Sequence, residues 1–181
     1  MKNFKTMQNG RSMIEMLGVL AVIGVLSVGG LSLVSKMNTS RKVAAVMDEI
    51  GALAVKTRTV MRDYEGNAGD VTEYIQTSRA YPMELKYANN TFSGTDDAQY
   101  KVSYVGSGSV LYEIEASGLT NEMCLQATNT NWGTASTSGF ISLKVTKKNE
   151  TTPTELTENA GLGEIADLCE GEGITVTFSY R

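Results

Sequence analysis

From Met16 to Ser35 the chain runs twenty residues without a charge. A helix of that length can cross a bilayer. Further on, Val43, Val46, Met47, Ile50, Leu53, Ala54, Val60 and Met61 recur at helical spacings. Arg41, Lys42, Asp48, Glu49, Lys56 and Arg58 fall largely off that stripe. No proline occurs before Pro82. The pattern predicts one helix from about Met13 to about Arg62. Residues 11–35 form a transmembrane half, apolar all round past its head, and residues 36–62 the amphipathic half. Gly18, Gly24, Gly29 and Gly30 interrupt the apolar half. Small residues let helices pack closely, and Gly29-Gly30 is the best candidate for a weak point, because interior glycines disfavour helix.

The pattern changes after Arg62. Tyr64 to Asp70 reads as a helix stop and loop. Val71 to Ala80 is expected to form a short helix ended by Tyr81-Pro82. Ala88 to Ala98 reads as loop. Period-two alternation then predicts four strands. Their apolar sets are Tyr100, Val102 and Tyr104; Val110, Tyr112 and Ile114; Ile141, Leu143 and Val145; and Ile174, Val176, Phe178 and Tyr180. Gly106-Ser107-Gly108 signals a hairpin between the first two. The sheet is expected to be antiparallel, with one apolar face on the Val43–Met61 stripe. The fold class is therefore α+β: a long N-terminal helix and a globular head over residues 63–181.

Composition narrows the chemistry. The chain has 181 residues, a net charge of -4 and no histidine. The acidic balance argues against a nucleic-acid grip. Lack of histidine removes the commonest general base and metal ligand. Cys124 and Cys169 lie far apart with no CxxC, which disfavours zinc. In an exported chain they read as a disulfide, worth about 4 kcal/mol in the chain-entropy model. Cys124 falls in a short predicted helix with Thr120 as N-cap; Cys169 falls just before the last strand.

Glu15 stands at the head of the apolar run, where a carboxylate costs roughly 3 kcal/mol on insertion scales. A cleaved signal peptide, a plain signal anchor and a prepilin leader compete for residues 1–35. A carboxylate there has no role in the first two. Gly10-Arg11-Ser12-Met13-Ile14-Glu15-Met16-Leu17 resembles the type IV prepilin signature: a basic leader (residues 1–10), a glycine, and glutamate fifth in the mature chain. Arg11 departs from it, since the family usually has an apolar residue there. Gly118-Leu119-Thr120 with Cys124, and Leu168-Cys169 before a terminal strand, are similar to type IVb pilins such as the toxin-coregulated pilin. The ten-residue leader is shorter than is usual in that subclass.

The resemblance implies cleavage between Gly10 and Arg11 and N-methylation of Arg11. It implies that Glu15 pairs with the new amine of a neighbouring subunit inside an apolar fibre core. It implies the chain itself as principal partner, in a homopolymer, with a prepilin peptidase, an assembly ATPase and an inner-membrane platform. The subunit would sit in the bacterial inner membrane, head periplasmic, and then in an extracellular pilus used for adhesion, aggregation or motility. The region Cys124–Cys169 would face outward, towards other heads, host cells or phage. A minor pilin or a type II secretion pseudopilin is the alternative of the same kind. A signal-anchored periplasmic binding module is the alternative of another class.

No enzyme site, cofactor or metal site is expected. Glu164, Asp167, Glu170 and Glu172 form an acidic cluster, read as solvated surface because calcium-loop spacing is missing. Asn38-Thr39-Ser40, Asn89-Asn90-Thr91 and Asn149-Glu150-Thr151 match glycosylation sequons that arise readily in an Asn- and Thr-rich chain. Trp132 reads as partly buried core or as an exposed contact in the disulfide loop.

Overall fold

The computed structural model describes residues 13–107, 110–156 and 161–181, with side chains from Ser35 onward except that of Ser107. Helix α1 spans Met13–Met61, close to the length expected from the sequence. Contacts divide the chain into two compact units, Met1–Ser40 and Arg41–Arg181. In the first, Thr39 donates its hydroxyl to the Ser35 carbonyl one turn back, at 3.3 Å.

The second unit combines α1 from Arg41 onward with an eight-stranded sheet. Its elements are β1 (Gly69–Asp70), α2 (Thr72–Thr77), β2 (Lys86–Ala88), β3 (Thr91–Ser93), β4 (Gln99–Ser107) and β5 (Val110–Thr120). They continue as α3 (Asn121–Asn129), β6 (Phe140–Thr146), β7 (Thr154–Leu156), α4 (Leu162–Leu168) and β8 (Glu172–Tyr180). The strand order is β2-β3-β4-β5-β8-β6-β7, with β1 also pairing β4. Every pairing is antiparallel.

Register explains why one face is apolar. Val102, Ile114, Phe178, Leu143 and Leu156 lie side by side from β4 to β7. Tyr104, Tyr112, Tyr180 and Phe140 make the next row. A one-residue slip would turn these rows to solvent, so burial fixes the pairing. Val46, Ile50, Leu53, Ala54 and Met61 of α1 are buried in the same core. Each large side chain so buried contributes roughly 1.5–3 kcal/mol.

The four strands expected from alternation are present, with one change of phase. The β6–β8 register shifts between Phe140 and Ser142. Phe140 therefore meets Tyr180 edge-on at 5.8 Å, while Ile141 is only half-buried. The loop expected over Ala88–Ala98 is corrected in its first part, where β2 and β3 form a hairpin; Gly94 to Ala98 stay outside the strands. Asn89 and Asn90 take φ of 51° and 57°, and Ala88 faces Thr91 across them. Asparagine tolerates this left-handed turn. The expected 71–80 helix is shorter, because Arg79 turns left-handed at φ 54° before Tyr81-Pro82 is reached.

Polar contacts pin the helix to the sheet. The Glu49 carboxylate accepts from the Tyr100 hydroxyl at 2.7 Å, the Thr95 hydroxyl at 2.7 Å and the Thr95 N–H at 3.1 Å. Lys42 pairs with Asp96 in the same turn. Gly94 leaves room for this contact: a Cβ there would strike the Glu49 carboxylate and lie 2.8 Å from the Tyr100 ring. The Tyr112 hydroxyl donates to the Ala54 carbonyl at 3.0 Å. Thr57 is fully buried, and its hydroxyl finds no hydrogen-bond partner among the described residues.

These two sites predict opposite mutational signs. Glu49→Ala strands the buried Tyr100 hydroxyl and is expected to destabilise the head by about 3 kcal/mol. Thr57→Val removes an unpaired polar atom at nearly constant volume and should stabilise by about 1 kcal/mol. Denaturant melts followed by the single tryptophan, Trp132, measure both.

Burial holds the Tyr100, Tyr112 and Tyr180 phenols well above the ordinary range, and the Glu49 carboxylate adds to this at Tyr100. Folding thus favours their protonated forms. That stabilisation is complete below the free phenol value of about 10 and fades as pH rises towards the folded values. Tyrosinate absorbance from these three should appear only with cooperative alkaline unfolding. Their gradual ionisation under native Trp132 fluorescence would contradict the packing.

Candidate functional site

The expected processing residues Gly10 and Arg11 lie outside the described residues. So does the side chain of Glu15, whose backbone belongs to α1. Among the described residues no helix is long and apolar enough to cross a membrane. The uncharged run lies, up to Val34, where side chains are not described.

Cys124 and Cys169 form the expected disulfide, with Cα atoms 5.5 Å apart and both residues fully buried. The local sequence sets up both ends. Thr120 caps α3, its hydroxyl accepting from the Met123 N–H at 3.4 Å. Cys169 ends α4, and its carbonyl accepts from the Asn121 amide at 2.7 Å. The bridge joins two short helices, of which α3 lies against β5 and β8. Trp132 resolves towards core: it meets Phe178 edge-on at 4.9 Å and donates its indole N–H to the Ala127 carbonyl at 2.7 Å.

The acidic residues Glu164, Asp167, Glu170 and Glu172 are all exposed around α4 and the start of β8. Among the described residues no group of three or more acidic or cysteine side chains could hold a metal ion. The aliphatic stem of Lys148 lies over Gly173 at the edge of this patch.

At the other end of β8 three arginines come together. A groove of about 1070 Å³ runs along α1, between residues such as Asp48, Val55 and Arg62 and the segment holding Asn131 and Trp132. Beside it, a cleft of about 540 Å³ is lined by Arg58, Arg62 and Arg181 with Leu111, Ala135 and Ser136. Gly139, at φ 79°, makes the approach possible. A Cβ there would lie 2.8 Å from the Arg181 carbonyl and 3.1 Å from the Arg58 guanidinium. The Arg181 N–H donates to the Gly139 carbonyl at 2.7 Å.

Among the described residues, none of the three arginines lies in a salt bridge; the two bridges there are Lys42–Asp96 and Lys144–Glu113. In the sequence Arg58 falls largely off the apolar stripe, and no local pattern points to Arg181. Arg62 follows the last residue of α1 and its N–H donates to the Arg58 carbonyl at 3.4 Å, which keeps the two close, but their meeting with Arg181 is tertiary.

No protein-family model matches the chain, and no curated protein matches it. A solved structure does: the crystal structure of type IV b pilin from Salmonella typhi. The TM-score is 0.54 at 14% identity, covering 74% of this chain and 96% of that one. At that identity the likeness speaks for the fold. The α+β architecture with its N-terminal helix, antiparallel sheet and Cys124–Cys169 bridge is a type IV pilin fold.

Proposed function

We propose that this chain is the structural subunit of a type IV pilus, made as a prepilin and polymerised through its N-terminal helix. One conjunction carries the reading: a pilin fold in the head and, on the same chain, the prepilin-like sequence Gly10 to Leu17. Neither half depends on the other. The fold rests on three-dimensional likeness, while the signature rests on residue types and spacing.

In this reading a prepilin peptidase cuts between Gly10 and Arg11 and methylates the Arg11 amine. The run Met16–Ser35 first holds the subunit in the inner membrane, head on the periplasmic side. An assembly ATPase and an inner-membrane platform then move it into a fibre outside the cell. Glu15 supplies the docking charge. In an apolar core it is costly alone and strongly attracted to the Arg11 amine of a neighbour. That pairing fixes the stagger between subunits, because one axial offset brings the two groups together. The role is structural, and the heads form the surface through which the fibre adheres or aggregates.

Mass spectrometry of the mature protein should give an N-terminus at Arg11. A chain that still starts at Met1, or one cut near Gly29, would sink the proposal. Glu15→Ala should leave the head folded and membrane levels normal while fibre yield falls by about tenfold or more. Normal assembly of that variant would remove the docking mechanism.

A further inference from the structure

We propose that the arginine cleft of one head receives the acidic α4 region of a second copy, in a head-to-tail contact. The inference rests on the polymer reading above and adds a site and a direction to it.

Three observations lead there. The first is the cleft, where Arg58, Arg62 and Arg181 converge beside Ser136 with no acid in salt-bridge reach among the described residues. Asp63 belongs to the adjoining groove and makes no ion pair there. Guanidinium groups so placed suit carboxylates, which they hold by paired hydrogen bonds. The second is the opposite patch, where Glu164, Asp167, Glu170 and Glu172 are exposed and none is in a salt bridge among the described residues. Lys148 at its edge makes none either.

The third is their placement on one strand. Glu170 and Glu172 stand at the start of β8, and Arg181 follows its last residue. Nine residues of strand separate these ends by roughly 30 Å. One head cannot close its own cleft with its own patch. The contact is therefore heterologous: each copy offers a basic end to one neighbour and an acidic end to another. A heterologous contact that does not close into a ring propagates as a filament. A second copy is thus the occupant that supplies the complementary charge in the right geometry for a fibre.

Surface pairs of this kind steer partners and reject wrong ones, since juxtaposed like charges are repelled strongly. They weaken as salt rises. The cleft would accordingly select orientation between heads, while the helices supply most of the cohesion.

Charge reversal in the full-length chain tests the contact. Arg62→Glu with Arg181→Glu should reduce fibre yield by about tenfold. Asp167→Lys with Glu170→Lys should do the same. Combining all four substitutions should restore most of the wild-type yield. Formation of the Cys124–Cys169 bridge and normal membrane levels serve as the check that each variant folds. If wild type makes fibres and the reversals do not reduce them, the contact is wrong and the polymer reading stands. Loss in both pairs without recovery in the combination also overturns the contact. A wild-type chain that makes no fibre overturns the polymer reading and the contact together.

Discussion

The head depends on one packing interaction: the apolar stripe of α1 against the inner face of the sheet. Val46, Ile50, Leu53 and Met61 are fully buried there, with Ile114, Phe178 and Tyr112 in the same core. Neither partner could stand alone. An isolated helix of this composition gains little from propensity, and its stability comes from burying one face. A sheet with one apolar face needs a cover. The register of β4, β5, β8 and β6 follows from the same need, because only one pairing turns every apolar row towards the helix.

Hydrophobic burial is non-directional, so it does not by itself say where along the sheet the helix should rest. Polar contacts supply that. Glu49 binds the turn at Thr95 and the β4 residue Tyr100 together, and Tyr112 of β5 reaches the Ala54 carbonyl. These bonds lie a turn or more apart on α1 and draw on two adjacent strands. They fix the helix in translation as well as in rotation. Burial of the phenols makes the bonds specific, since an offset would leave hydroxyl groups dry and unpaired.

The same division decides what the sequence could reveal. Periodicity is a local record of burial, so the long helix and the four long strands were legible from Val46, Ile50, Val102 or Phe178 alone. The disulfide was legible because two cysteines with no CxxC, in a chain read as exported, leave few other readings. The short elements were not. The β2–β3 hairpin has strands of three residues, too short for alternation to register, and its turn rests on Asn89 and Asn90 rather than on glycine. The three-residue β7 was missed for the same reason. The phase slip at Ile141 reflects a bulge, which changes facing without changing composition. Glu49 falls off the apolar stripe and gives no local sign of its role, because its partners Thr95 and Tyr100 lie about fifty residues away, and Thr57 shows that even a stripe position can carry a polar atom.

Among the described residues, the arginine cleft and the main acidic cluster lie at opposite ends of β8. A closed symmetric dimer needs a self-complementary patch, one that matches itself under a two-fold axis. A cleft whose only charged side chains are Arg58, Arg62 and Arg181 does not complement itself, and neither does the cluster Glu164, Asp167, Glu170 and Glu172. Each repels its own copy and attracts the other. The proposed contact accordingly runs between unlike ends, in an open arrangement in which every subunit points the same way. That polarity is what a parallel array of N-terminal helices also requires, with each Glu15 facing the amine of a neighbour rather than another Glu15. In the polymer reading, head and helix thus obey a single constraint: unlike ends must meet. The head would meet it through the spacing of charges along a strand, and the helix through the single carboxylate of Glu15.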